Sequence, residues 1–317
     1  MPGRDTGTVR ATAELEWRIR MLNGTWIGTI LLVLFVCLIL FFLWVMIWDS
    51  NRFVTRIYTF RSDKLKKDCR IIFLSDLHNK EYGSGNERLL QAIEELAPDL
   101  LLIGGDMLNA KPGASFKKGA DLVLKCGKKY PVYYALGNHE YRARVYPENY
   151  DTMYSDYMES FKDSSIRFLD NESCLLPEFG IRLTGLTIDR EYYKRFMKRK
   201  LKEGYLKETI GKADDASYQI LLAHNPEFFP DYAAWKPELV LSGHVHGGVA
   251  RIPGYKGVVA PSLLPFPHYD GGLFEEHGSR MVISRGLGMH TIPVRLFNPG
   301  EVVVLELKAG TDGSADV

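Results

Sequence analysis

The stretch IIFLSDLH at residues 71–78 decides the fold class of this chain of 317 residues. Four consecutive large apolar residues are followed closely by a carboxylate and an imidazole, Asp76 and His78. A short run that is apolar throughout predicts a strand buried on both faces, as in sheets covered by helices. Side chains that follow such a strand lie at the edge of the sheet where open α/β folds bind ligands. The stretch therefore predicts an α/β domain with a polar site at that edge.

Four more apolar segments have the same design, and each runs into polar side chains that can bind a metal ion. Residues 89–96 and 120–126 have helical signals, and they separate the first three apolar strands from one another. Because the carboxyl ends of such strands meet at one edge, we expect the polar side chains to converge on one crevice. The four segments are residues 100–103, 132–136, 219–223 and 239–241, and further strands are expected at 258–259, 281–284 and 302–307.

The polar residues at the five strand ends form one candidate set of metal ligands. Imidazole together with carboxylate and amide oxygen suits Zn, Mn or Fe, and the set has none of the thiolates of a structural zinc site. The set is too large for one tetrahedral ion, but it suffices for two ions that share a bridging carboxylate. Its members are Asp76, His78, Asp106, Asn138, His224, His244 and His246.

Each of these residues has an ordinary structural interpretation when it is taken alone. An Asp-x-His pair can occur by chance, a Gly-Asp after a strand is often a turn, and a lone buried histidine is more often a core residue than a ligand. Five of the eight histidines nevertheless lie at these strand ends in one ordered series. The joint pattern favours a metal site.

The motifs at the strand ends resemble, in order, the signature of the calcineurin-like metallophosphoesterases over residues 70–308. Flanking stretches at 75–80, 222–227 and 242–248 are similar to a membrane-associated bacterial branch that includes UDP-2,3-diacylglucosamine hydrolase-like phosphodiesterases. The resemblance implies an α/β fold, a two-sheet αββα sandwich. The motifs are Asp76-x-His78, Gly105-Asp106, Gly137-Asn138-His139-Glu140, His224 and Gly243-His244-x-His246.

The resemblance also implies roles for the individual residues. A hydroxide that bridges two divalent cations (Mn, Zn or Fe) would attack the phosphorus. His139 would be a catalytic residue that stabilises the transition state or protonates the leaving oxygen. Residues 107–109 read Met-Leu-Asn where relatives often have an aliphatic residue and a second Asp, and no ligand is lost. The implied ligands are Asp76, His78 and His246 for one metal and Asn138, His224 and His244 for the other, with Asp106 bridging.

Residues 21–48 carry no charge and predict a transmembrane anchor behind an N-terminal tail, residues 1–20. The apolar centre at 27–47 spans roughly 31 Å as a helix, about one hydrocarbon core. Trp26 and Trp48 bracket it, as in an aromatic belt. The sequence therefore predicts a single-pass membrane protein. Residues 49–67 hold six Lys or Arg against four in residues 1–20, a bias too small to decide on which side the catalytic domain lies.

The rest of the chain is predicted as a basic linker at 49–69, the metallophosphoesterase domain at 70–308 and a tail at 309–317. Cys69, Cys126 and Cys174 are expected to be buried free thiols. Six of the nine residues at 194–202 are basic. They predict either an ordinary solvated helix or a contact for anionic lipid headgroups.

Three classes of function compete at this point. The first is a membrane-anchored phosphoesterase that hydrolyses a phosphodiester or pyrophosphate bond in a lipid or cell-envelope substrate, with the bilayer as partner. The second is a nuclease or nucleotide phosphodiesterase, against which the net charge of +1 argues, since nucleic-acid-binding proteins are usually basic. The third is a metal-free scaffold, against which the complete ligand set argues. The sequence leaves the exact substrate and the oligomeric state open.

Overall fold

The computed structural model describes residues 6–193, 200–248, 250–253, 256–258, 266–289 and 293–311 of the chain. The chain divides into two compact units, Met1–Ile47 and Trp48–Val317. Helix α1 (Thr6–Ser50) accounts for the described part of the first unit. The other helices and all the strands described below belong to the second unit.

Helix α1 contains the predicted anchor. Its portion Thr25–Ser50 has a mean hydropathy of 3.4 and is long and apolar enough to cross a membrane. Large apolar side chains in this portion, such as Leu34 and Phe35, are exposed. A long exposed apolar surface is typical of a helix that contacts lipid rather than a protein core. The helix begins at Thr6, so much of the predicted N-terminal tail is helical as well.

The second unit alternates short strands and short helices. Its 3-10 turns are Ser84–Asn86, Arg190–Tyr193 and Pro226–Phe228. Its strands are β1 (Phe53–Ser62), β2 (Cys69–Leu74), β3 (Leu100–Ile103), β4 (Val132–Tyr134), β5 (Arg167–Phe168), β6 (Ser173–Leu176), β7 (Ile181–Leu186), β8 (Tyr218–Ala223), β9 (Leu239–Ser242), β10 (Gly272–Glu276), β11 (Ser279–Ile283) and β12 (Gly300–Ala309). Its helices are α2 (Glu87–Leu96), α3 (Lys117–Gly127), α4 (Asn138–Val145), α5 (Pro147–Tyr150), α6 (Met153–Glu159), α7 (Tyr205–Ile210) and α8 (Phe229–Trp235).

Within the described residues, the strands form two mixed sheets of six strands each. The first has the order β1-β12-β2-β3-β4-β5 and the second the order β10-β11-β9-β8-β7-β6. Strands β2, β3 and β4 run parallel to one another, as do β8 and β9. Parallel pairing places the carboxyl ends of these strands at a common edge of each sheet, which is where the predicted ligands follow.

The layers are helix, sheet, sheet and helix, as the resemblance implied. Ile71 and Phe73 of β2 point towards the second sheet and belong to the core between the sheets. Ile72 and Leu74 point the other way and pack with residues of α2 and α3. On the far face of the second sheet, Leu221 packs with residues of α7 and α8. Both faces of the central strands are therefore buried, which explains their continuous apolar runs.

The structure differs from the predicted linker at residues 49–69. Residues Phe53–Ser62 form β1, which pairs in parallel with β12 along its whole length. Phe60 of β1 is buried, while its neighbours Thr59 and Arg61 are exposed. This alternation is the period of a half-buried strand. The composition of a linker came from Arg56 and Arg61 within β1 and from the basic residues that flank the strand.

Two other predicted elements lie partly outside the described residues. The strand expected at 258–259 is not formed at Val258, which lies in a bend, and residue 259 lies outside the described residues. The basic segment at 194–202 follows the 3-10 turn Arg190–Tyr193, and its residues 194–199 also lie outside the described residues. Residues 200–202 are not helical.

The cysteines agree with the prediction. Cys69, Cys126 and Cys174 are buried and free, and Cys37 is exposed on α1. Burial raises the pKa of the Cys126 thiol to about 12. A thiol that stays protonated at neutral pH is a poor nucleophile and metal ligand, so this residue belongs to the core.

We expect a chain that starts at residue 70 to fold poorly, because it lacks β1. Its loss exposes the edge of β12 and removes Phe60 from the core between the sheets, and unpaired strand edges promote aggregation. Size-exclusion chromatography and thermal unfolding should show that a chain starting at Trp48 is monodisperse and unfolds cooperatively, whereas the shorter chain is not. Equal behaviour of the two chains would contradict a structural role for β1.

Candidate metal centre

The predicted ligands follow the ends of the central strands, most of them in loops and Asn138 as the first residue of α4. Each loop is short, so the strand fixes the position of the side chains that follow it. In the first sheet, Asp76 and His78 follow β2, Asp106 follows β3 and Asn138 follows β4; in the second sheet, His224 follows β8, and His244 and His246 follow β9.

The backbone of these loops is strained. Asp76, His78, Asp106, His244 and His246 all have positive φ angles, between 46° and 70°. Such conformations cost a non-glycine residue roughly 1–3 kcal/mol and persist where the surrounding structure enforces them, often at active sites. Hydrogen bonds between the loops provide this support, for example from the His78 backbone N–H to the Asp106 carbonyl at 3.0 Å.

Asp76, His78 and His246 form a first group of potential ligands. The Nε2 atoms of the two histidines lie 3.1 Å apart. Oδ1 of Asp76 lies 3.3 Å from Nε2 of His246 and 3.9 Å from Nε2 of His78. All three side chains are buried, so their donor atoms face one small enclosed volume.

Asp106, His224 and His244 form a second group. Oδ2 of Asp106 lies 3.1 Å from Nε2 of His224, and Nδ1 of His244 lies 2.7 Å from Oδ1 of Asn138. The same Oδ2 atom of Asp106 lies 3.9 Å from Nε2 of His78 in the first group. Asp106 therefore faces both groups, the position that a bridging carboxylate requires.

The spacing of these donor atoms fits bound cations. Two nitrogen ligands, each about 2.0–2.1 Å from one ion at octahedral or tetrahedral angles, lie roughly 2.9–3.4 Å apart. The 3.1 Å separation between His78 and His246 falls in this range. Nδ1 of His224 lies 2.7 Å from the Gly104 carbonyl, so the neutral ring carries its hydrogen there and directs a lone pair from Nε2 towards Asp106. The residues thus fit divalent metals, while the number and identity of the ions stay predictions.

The electrostatics of the centre favour positive charge. Burial raises the pKa of Asp76 to about 6. Burial also opposes the ionisation of Asp106, but His224 and His139 hold its pKa well below the usual range. Burial alone would lower the pKa of His224, yet Asp106 and Asp76 raise it to about 10. The carboxylates thus attract positive charge to the ring nitrogens, and a divalent cation supplies that charge while the rings stay neutral.

Two glycines allow the ligand loops to approach one another. A Cβ at Gly105, where φ is +90°, would overlap the backbone of Gly137. A Cβ at Gly243 would overlap the carboxylate of Asp76 and the hydroxyl of Ser75. Any larger residue at either position would push the ligands apart, which explains the glycine before Asp106 and the glycine before His244.

Glu140 has a role that the sequence analysis missed. Its buried carboxylate accepts hydrogen bonds from the backbone N–H groups of Asp106, Met107 and Gly137 at 2.8, 2.9 and 3.0 Å. It also accepts one from the hydroxyl of Tyr134 at 2.8 Å. One side chain therefore joins the loop after β3 to the start of α4. The available signal was a glutamate three residues after the N-cap, as in a capping box.

His139 lies beside the two groups, and hydrogen bonds fix its orientation. Its Nδ1 accepts a hydrogen bond from the backbone N–H of Ala110 at 2.9 Å, directly after residues 107–109. The neutral ring therefore carries its hydrogen on Nε2, which lies 3.9 Å from Oδ2 of Asp106. His139 also forms a third possible ligand group with His78 and Asp106. Its role as a catalytic residue rather than a ligand stays a prediction.

Comparison with known proteins relates these motifs to a family. A model of the family described as calcineurin-like phosphoesterase matches residues 69–248. A Campylobacter jejuni protein described as an uncharacterized metallophosphoesterase is 27% identical over 252 residues, which cover 77% of this chain and 60% of that protein. A Danio rerio protein described as a transmembrane protein with metallophosphoesterase domain is 24% identical over 243 residues, covering 75% and 53%.

A solved structure of a Haemophilus influenzae NAD nucleotidase covers 69% of this chain and 45% of its own, at 14% identity and a TM-score of 0.38. The chain spans about three fifths of the length of the first curated relatives that it matches. The Campylobacter jejuni and Danio rerio proteins are described only by their metallophosphoesterase domains, so the resemblance to UDP-2,3-diacylglucosamine hydrolases stays a prediction.

We expect Glu140→Gln to destabilise the protein and to weaken metal binding. The amide cannot accept all the backbone N–H groups that the carboxylate now accepts, and a buried unsatisfied donor costs roughly 1–3 kcal/mol. Denaturant unfolding and the metal content of the purified protein check this. Glu148→Gln, at an exposed position on α5, is the control and should change neither quantity. Wild-type metal content and stability in Glu140→Gln would contradict the role of Glu140 in joining the loops.

Proposed function

Because the chain belongs to the calcineurin-like phosphoesterases, we propose that it is a metal-dependent hydrolase that cleaves a phosphodiester or pyrophosphate bond at the centre described above. One observation carries the proposal: donor atoms from five separate strand ends converge in adjoining groups. A core that needed only stability has no reason to bury two carboxylates among so many imidazoles, because buried charges are costly.

We propose that the centre holds two divalent cations, of Mn, Zn or Fe. When bound, such ions supply an activated water as nucleophile and offset the charge of the phosphate. The side chains of this chain would hold the ions in a buried site. One ion would be held by Asp76, His78 and His246 and the other by Asn138, His224 and His244, with Asp106 facing both.

His139 is the residue that we propose acts on the substrate directly. Its Nδ1 already accepts a hydrogen bond from the Ala110 N–H. The neutral ring can therefore donate a hydrogen bond from Nε2, whereas giving up that hydrogen would leave an anionic ring. We infer that His139 stabilises the negative charge that develops on the phosphate or on the leaving oxygen, and that it does not transfer a proton.

The proposed substrate is a phosphate-containing lipid or cell-envelope compound. The apolar portion Thr25–Ser50 of α1 supports a single-pass anchor, as does the likeness to a transmembrane metallophosphoesterase. A tether raises the effective concentration of membrane substrates at the site. The basic segment at 194–202 fits anionic headgroups, each basic residue contributing about 1 kcal/mol near the surface.

Replacing a ligand should remove metal and activity together. Asp106→Ala and His246→Ala each delete a donor atom of the centre, so we expect loss of bound metal and of turnover of a generic aryl phosphodiester with Mn²⁺. Elemental analysis and a colorimetric assay measure the two quantities. His277→Ala, which removes an exposed histidine between β10 and β11, should change neither. Wild-type activity in the first two variants would rule out the proposed centre.

Replacing His139 should separate metal binding from rate. His139→Ala should keep its metal while kcat falls roughly 10²–10³-fold, the usual cost of one hydrogen-bond donor to a developing charge. Elemental analysis and the aryl phosphodiester assay measure metal content and kcat. Full activity would refute the catalytic role, and loss of metal would assign His139 as a ligand instead.

A further inference from the structure

The chain enters the first sheet at the edge that carries the metal centre. Phe53, the first residue of β1, lies opposite Gly300, the first residue of β12. Further along β12, Val303 lies opposite Phe73 of β2 in antiparallel register. Beyond this ladder, residues 286–288 connect the start of β12 to the loop after β2: Glu301 N–H donates to the Gly286 carbonyl at 3.0 Å, and Leu287 N–H donates to the Ser75 carbonyl at 3.1 Å. The start of β12 therefore lies at the end of the sheet from which Asp76 and His78 emerge.

Asp49 links the end of α1 to the loop before β12 through hydrogen bonds. Its carboxylate is 2% exposed. Oδ1 accepts hydrogen bonds from the Arg52 guanidinium at 2.8 and 3.0 Å. Oδ2 accepts the backbone N–H of Asn298 at 2.9 Å. Both oxygens of a buried carboxylate are thus engaged, which fixes the position of Asn298 relative to the end of α1.

Asn298 continues this connection to the turn that carries a metal ligand. It is fully buried, and its Nδ2 donates hydrogen bonds to the carbonyls of His246 and Gly248, both at 2.7 Å. Gly247 between them has φ +70°, and a Cβ there would lie 2.6 Å from Oδ1 of Asn298. The amide of Asn298 therefore occupies the inside of the turn and holds both of its carbonyls.

We propose that Asp49 and Asn298 are positioning residues for His246, so that Asp49, in the last turn of α1, helps to hold a ligand of the metal centre in place. Asp49 fixes the position of the Asn298 backbone, and the Asn298 side-chain amide fixes the conformation of the turn at 246–248. That turn holds Nε2 of His246 at 3.1 Å from Nε2 of His78. Neither positioning residue contacts the substrate. The inference rests on the metal centre proposed above and adds Asp49, which precedes the predicted domain at 70–308.

The test measures Mn²⁺ affinity on the full chain in detergent micelles. Groups that orient metal ligands typically contribute 10–100-fold to metal affinity. We therefore expect Asp49→Ala and Asn298→Ala to raise the Kd for Mn²⁺ by roughly tenfold or more, measured by titration calorimetry. Because every ligand is still present, activity at saturating Mn²⁺ should return close to the wild-type value. Asp49→Asn keeps an oxygen acceptor for the Asn298 N–H and should recover most of the affinity.

Asp68→Ala is the matched control. Asp68 accepts the backbone N–H of Ala309 at 3.0 Å and the Lys308 ammonium at 3.1 Å, at the opposite end of β12. This variant removes a similar backbone acceptor far from the centre, so Tm should fall while the Kd for Mn²⁺ stays unchanged. If Asp49→Ala behaves in the same way, Asp49 is only structural and the proposal is overturned.

Two further outcomes are distinguishable. If Asn298→Ala does not fold, Asp49→Ala decides the result, because it leaves the buried amide in place. A wild-type chain that binds Mn²⁺ but does not hydrolyse an aryl phosphodiester counts against the proposed function, and the Mn²⁺ affinities of the variants still decide this inference. A wild-type chain that binds no Mn²⁺ overturns both.

Discussion

The buried carboxylate of Asp106 is the constraint on which the arrangement of the site depends. It is 1% exposed and lies 3.1 Å from Nε2 of His224 and 3.9 Å from Nε2 of His78. A charge in such a place is costly unless opposite charge and hydrogen-bond donors surround it. The cations proposed for the two ligand groups would provide the opposite charge, and the His139 backbone N–H, 2.7 Å from Oδ1, provides a hydrogen bond. The positions of the central strands bring these residues together around Asp106.

Residues that bind neither metal nor substrate keep the ligand loops in place. Glu140 accepts the N–H groups behind Asp106, and Asn298 donates to the carbonyls behind His246. One side chain is an acceptor and the other a donor because the first faces a run of free backbone N–H groups and the second the carbonyls of a turn. Together they offset the cost of the left-handed conformations at Asp106 and His246.

The sequence predicted the central strands well, because burial on both faces is a local property, and the structure brings the predicted donor residues together. A run such as residues 100–103 is apolar throughout only when both faces are buried, and β3 has these bounds. β1 was not predicted because polar and basic residues alternate with its apolar ones and its partner β12 lies more than two hundred residues away. The role of Asn298 was not predicted for a similar reason. A single asparagine in a loop has no local sequence signature, and only the contact with His246 reveals its role.

The sequence by itself determined the fold class, the buried strands and the chemical types of the ligands, since strand period, burial and donor chemistry follow from neighbouring residues. Only the tertiary structure decided that Asp106 faces both ligand groups, that Nδ1 of His139 accepts a hydrogen bond from Ala110, and that the chain joins the sheet beside the metal centre. These features depend on pairings between distant strands. Strand register and loop geometry depend on the packing of the whole unit, so no single segment of the sequence predicts them.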